Sequence, residues 1–230
     1  MTLKIMQKEL NIGSTIIKPK PTAKNLGCVI DSELTLEQHV NSITKSCFYQ
    51  LRQIRSIHRL LSVEASKALI HAFISSRINY CNSVFYGATG SVLGKLQSVQ
   101  NAAARLLTSK RRYDHITPVL MDLHWLPIHQ RINYKIASLT RGCLHGEGHG
   151  DLKELLTPTS SCQGRAHLRA ASHGDLVTSR STTKRLGTHS FRIAAPTIWN
   201  SLPVSVRNLS SNHELFNAGL KTHLFNLAYT

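Results

Sequence analysis

The sequence predicts a mainly α fold: a helical bundle with a small N-terminal β-hairpin and a basic, partly irregular C-terminal segment. Three observations carry that expectation. Apolar residues recur at spacings of three and four along several stretches between residues 35 and 139. Two short apolar, β-leaning runs fall within the first 33 residues. Between residues 157 and 192 the helical period lapses, and Ser, Thr, Gly and His take over. The expected division is therefore 1–33, a β-hairpin; 34–145, a helical bundle; and 146–230, a basic segment closed by a terminal helix.

Taken in order, residues 14–18 (STIIK) and 25–30 (NLGCVI) read as the two strands of that hairpin. The intervening KPKPTAK reads as their loop, because proline does not sit in a strand interior. A helix comes next over residues 35–60, with Thr35 as its cap and Ile43, Cys47, Leu51 and Ile54 as its buried face. Another runs over 62–80: Ser62 caps it, and Ala65, Leu69, Ala72, Phe73, Ser76 and Tyr80 mark its inner side. Gly87 and Gly90 punctuate a turn before a helix at 90–108, whose stripe is Val92, Leu96, Val99, Ala103 and Leu106. Its flank of Gln97, Gln100 and Asn101 reads either as solvent-facing or as amides for bases and sugars.

Thr117-Pro118 opens a short helix to Leu123, and Trp125 reads as a core anchor. Pro127 stands at the first position of a helix with core face Ile128, Ile132, Ile136 and Leu139, while Arg131 and Lys135 lie on another face. GCLHGEGHG at 142–150 breaks the chain. Beyond it come a short helix or turn at 151–156, a strand at 187–193 and a short helix at 194–202 ended by Pro203. Ser211-Asn212-His213-Glu214 reads as the capping box of a last helix with Phe216, Leu220, Leu224 and Leu227 inside.

Charge points to a partner. Lys and Arg total 28 against 12 acids, a formal net charge of +16. That excess, with a pI near 10.1, is the footprint of a protein that meets polyanions. Five widely spaced cysteines without a Cys-x-x-Cys pair favour a reducing interior, cytoplasm or nucleus, over secretion. No apolar run approaches the roughly 18–20 residues that span a bilayer, so no membrane partner is expected.

The charge is clustered. Lys45, Arg52 and Arg59 recur every seven residues along the first helix, with Arg55 one turn from Arg52 and no acid between 38 and 63. Lys110, Arg111 and Arg112 come directly after a helix C-terminus, where the dipole favours cations, and Tyr113 beside them can stack on a base. The irregular segment adds Arg165, Arg169, Lys184 and Arg185, among others, against the single acid Asp175. These are the expected contacts to an RNA or DNA backbone. The ordinary alternative for each stripe is a solvated charged face. Cys143, His145, His149 and Cys162 could in principle hold zinc, but their spacing matches no standard knuckle. A G-x-S-x-G elbow and a P-loop are absent from the sequence.

A family resemblance emerges at residues 99–127. VQNAAARLLT, with RRYDHITPVLMDLHWLPI after it, resembles the region after the catalytic core in reverse transcriptases of LINE-type (non-LTR) retrotransposons of the jockey-like branch. NLGCVIDSELTLEQHV, LIHAFISSRINYCNSVFYG, APTIWNSLPVSVRN and FNAGLKTHLF resemble further pieces of that region in the same order, over about residues 20–230. The resemblance implies a thumb and C-terminal segment. In that family, palm carboxylates in an aromatic-x-Asp-Asp turn hold Mg²⁺ for phosphoryl transfer. This sequence has no Asp-Asp pair. The expectation is a fragment that is not an enzyme on its own and has no cofactor, with Mg²⁺ belonging only to a full-length parent and Met1 an internal methionine of it. By position, Lys45, Arg52, Arg55 and Arg59 would face template–primer, and Leu26-Gly27 would lie near the primer. The basic C-terminal arm would hold RNA or target DNA. Self-association through exposed thumb-helix surface, or a decayed copy without function, is the alternative.

Overall fold

Residues 10–18, 20–164, 167–179 and 187–230 are described by the computed structural model. Two hairpins open it, rather than one. Strand β1 (Leu10–Ile12) pairs antiparallel with β2 (Thr15–Ile17), and β3 (Thr22–Asn25) pairs with β4 (Cys28–Asp31). Each apolar run thus finds its partner locally, and the second half of the expected loop is itself a strand. The turn chemistry explains it. Leu26 and Gly27 both take positive φ (45° and 83°), as a two-residue turn matched to strand twist requires.

Asp31 ends β4 and organises the entry to the first helix. Its Oδ1 accepts from the Glu33 and Thr35 amides (3.1 and 2.9 Å), and its Oδ2 from the Leu36 amide (2.8 Å) and the Thr35 hydroxyl (3.1 Å). Burial pushes this carboxyl's pKa up, but the four hydrogen bonds outweigh it and hold the pKa below the usual 3.8. Helix α1 (Glu37–Ile57) starts directly after, so the expected cap Thr35 contributes only a long 3.4 Å contact to the Glu37 amide. Val40, Cys47, Leu51 and Ile54 are buried along α1, with Ile43 packed at the margin.

Ser62 caps α2 (Val63–Ile70), accepting from the Ala65 amide at 3.1 Å. The helix then widens into a π segment (His71–Ser75) before α3 (Ser76–Asn79). Its inner face is Ser66, Ile70, Ile74, Ser75 and Ile78, while Phe73, Ser76 and Tyr80 are exposed. The expected face was one residue out of phase. Residues 66, 70, 74 and 78 are four apart, more than the 3.6 of an α-helix. The wider π turn keeps this drifting series on one side.

Helix α4 (Gly90–Thr108) buries the expected stripe. Its amides serve structure. Gln97 accepts from the Ile128 amide (2.9 Å), and Gln100, 2% exposed, donates to the Leu126 carbonyl (2.9 Å). They tie α4 to the entry of α6 (Ile128–Leu144), which comes after the short α5 (Thr117–Asp122) and the buried Trp125. Pro127 is the cap of α6, not its first residue, and α6 continues through Gly142 to Leu144. Ile128, Ile132 and Ile136 are buried, whereas Leu139 is only half-buried and Ala137, Thr140 and Cys143 complete the face.

The C-terminal part is built of short helices linked by side chains: α7 (Gly150–Lys153), α8 (Arg169–Ser172), α9 (Phe191–Ser201) and α10 (Val204–Arg207), with the longer α11 (His213–Tyr229) closing it. The expected strand at 187–193 is a 3-10 turn leading into α9. Asn200 clamps Leu176, accepting from its amide and donating to its carbonyl, both at 2.8 Å. Asn212, not Ser211, caps α11, accepting from the Glu214 and Leu215 amides (2.9 and 3.1 Å). Leu227 is exposed instead of buried. Helix α6 packs against α4, α9 and α11, and one continuous apolar cluster runs from Cys28 to Leu224.

Candidate nucleic-acid interface

Helices α1 and α4 pack on each other and run in the same direction. Lys95 near the start of α4 bonds Glu37 at the start of α1 (2.9 Å), while Arg55 and Arg105, near the two C-terminal ends, line one groove. Two helix dipoles therefore end together, and both favour cations there. The groove has a volume of about 760 Å³. Arg55 and His58 line one wall, Arg105 the other, and Lys110 and Arg112 the far end; Phe48, Ala102 and Leu106 supply apolar surface. No carboxylate among the described residues lines it.

The loop that carries Lys110 and Arg112 is held by backbone bonds. Ser109 takes a left-handed conformation (φ 52°), and the Lys110 amide donates back to the Arg105 carbonyl at 3.1 Å. Asp114, the acid nearest the cluster in sequence, accepts from the Arg111 amide at 2.7 Å. Its negative charge is directed into the turn's own backbone. Arg105 reaches the Asp114 carbonyl at 3.5 Å, and its buried Nε has no partner among the described residues. The ion pairs of Glu37 with Lys95, Glu147 with Arg141 and His213, and Asp175 with Arg207 all lie away from the groove. Asp31 is held by the backbone at the α1 start.

Of the expected contacts, Arg55, Lys110 and Arg112 are thus brought together. Lys45 and Arg52 are exposed on α1 and Arg59 on the 3-10 turn that follows it, but none of them lines the groove. Arg111 is exposed on the loop, as is Tyr113 at 92%, open to a stacking partner. Arg169 is exposed on α8, apart from the cluster. Arg165, Lys184 and Arg185 lie outside the described residues. Arg105 and His58 were missed by sequence reasoning. A signal for Arg105 existed: Ser98, Ala102, Arg105 and Ser109, spaced four, three and four, share one helix face, and its small residues leave room for a groove.

The zinc arrangement does not assemble. Cys143 is buried within α6, and among the described residues no three His, Cys, Asp or Glu side chains converge on a metal position. Burial raises its thiol pKa above 9.0. No helix among the described residues is long and apolar enough to cross a membrane.

The groove gathers cationic side chains at the paired C-terminal ends of α1 and α4, with no carboxylate among the described residues lining it. In sequence the chain is similar to a probable RNA-directed DNA polymerase from transposon BS of Drosophila melanogaster: 23% identical over 135 residues, 57% of this chain and 15% of that protein. The similarity supports a relationship to a transposon reverse transcriptase, of which this chain spans about a seventh of the length. No family model and no solved structure matches the chain.

Proposed function

We propose that the chain is the post-palm part, thumb and C-terminal segment, of a LINE-type reverse transcriptase of the jockey-like branch. In this reading it lacks the catalytic palm, does not polymerise on its own, and holds RNA or DNA by the backbone without sequence preference. The observation that carries the reading is the convergence of Arg55, Arg105, Lys110 and Arg112 on one groove with no carboxylate among the described residues. Phosphates entering it displace condensed counterions, so binding is driven by salt release and blind to base identity. Lys45 and Arg52 on α1, and Arg59 on the turn after it, extend the positive track, and Tyr113 adds a stacking surface at the loop.

The test is filter binding of duplex and single-stranded probes across a salt series. The log–log slope is negative, and Arg55→Gln with Arg112→Gln reduces its magnitude by about 0.7–0.9 per lost phosphate contact. An affinity unchanged between low and high salt contradicts the mechanism. A second reading, self-association, is favoured by one observation: Ile57, Leu60 (87% exposed) and Val63 stand open at the α1–α2 junction. Light scattering of a monodisperse monomer at high concentration removes it.

A further inference from the structure

A second cavity, sharing no lining residue with the groove, opens between α3, the Trp125 turn, α6 and α11. Its volume is about 420 Å³, within the range of small-molecule sites. Arg131 forms its floor: the guanidinium lies 5.9 Å over the Trp125 ring, with Nε donating to the Leu126 carbonyl (2.8 Å) and Nη1 to Asn79 Oδ1 (3.2 Å). Burial lowers the Arg131 pKa, so the charge has lost solvation, and no carboxylate among the described residues lines the cavity to restore it. Lys135, one turn along α6, and Lys221, from α11, stand exposed at the rim. Asn82, 6% exposed, also lines the cavity, and its Oδ1 is a buried acceptor without a partner among the described residues.

Each feature asks for a different part of one ligand. Three cations without an acid among the described residues ask for an anion. A guanidinium held 5.9 Å from an indole ring offers a cationic, aromatic-backed surface to a flat base. The orphan acceptor asks for an N–H donor, because a buried polar atom left unpaired is costly. We propose that this pocket binds a nucleoside monophosphate with an amino-bearing base: phosphate at Lys135 and Lys221, base over Arg131, base amino group toward Asn82. The same chemistry is presented by free nucleotide and by the 5′-phosphorylated end of a strand.

Isothermal titration calorimetry of the full chain with adenosine 5′-monophosphate tests it. Saturable binding is expected with a Kd of about 1 mM or tighter. Lys135→Gln with Lys221→Gln, both exposed and so tolerated by the fold, weakens it about tenfold, as does replacing the ligand by adenosine. Arg55→Gln with Arg112→Gln leaves it unchanged, which separates this site from the groove. Competition by a 5′-phosphorylated oligo(dA), but not by its 5′-hydroxyl form, assigns the strand end as ligand; no competition by either assigns the free nucleotide. The proposal is overturned by absence of saturable heat, by wild-type affinity in the lysine variant, or by inorganic phosphate binding as tightly as the nucleotide.

Discussion

Two sets of basic side chains in this protein have opposite surroundings. Arg141 and Arg207 are buried, each paired with an acid from a loop outside its own helix: Glu147 and Asp175. Arg141 also donates to the Ser210 carbonyl at 2.8 Å, joining α6 to the turn before α11. Arg55, Lys110 and Arg112 are exposed, and no carboxylate among the described residues lies within ion-pair reach of them. Positive charge is neutralised inside the fold in one region and left without an acid among the described residues in the other. What differs is where the few acids go.

The contrast is under most load at Asp175. Replacing it with Asn leaves Arg207 buried without its counter-charge, at an expected cost of about 3 kcal/mol. A denaturant midpoint unmoved by this change would show that Arg207 is solvated after all.

The next effect is smaller. Asp31→Asn keeps the side-chain shape but loses charge-assisted acceptors for three amides, at a cost of about 1 kcal/mol. Because the folded pKa of Asp31 is depressed below 3.8, its stabilisation is present above that value and is lost as pH falls through the lower folded pKa. Melting temperatures of wild type and variant should therefore stay separated above about pH 5 and draw together as pH falls through the depressed folded-state pKa. Parallel curves through that window would remove the assignment.

The smallest effect on stability belongs to the groove. Arg55→Gln and Arg112→Gln should each change it by less than about 0.5 kcal/mol while still flattening the salt dependence of binding. Destabilisation comparable to that of Asp175→Asn would place these side chains in the structural class.

Local chemistry was legible in the sequence where a single period or cap decided it. The α4 stripe and the Ser62 cap emerged as read, because each depends on neighbours within two turns. The bundle and the small β element came from period alone. Long-range side-chain bonds were not legible. Gln97 and Gln100 look like a polar flank until α6 arrives at residue 128 to use them. The phase of α2–α3 was hidden because a π turn leaves no one-residue mark in composition. Arg55, Lys110 and Arg112 were legible as basic, but their meeting with Arg105 depends on two helices running in parallel, which spacing does not encode.

Tyr229 donates its hydroxyl hydrogen to the Trp125 carbonyl at 2.6 Å across 104 residues, and Phe225 packs near His124 on the same helix face. On a ribosome this sets a delay. At about 5–20 residues per second, the Trp125 turn waits roughly 5–20 s for the helix that completes it. Throughout that interval a nascent chain presents an aromatic–arginine surface with one side open. A message cut short before Tyr229 leaves the Trp125 carbonyl without that hydroxyl donor.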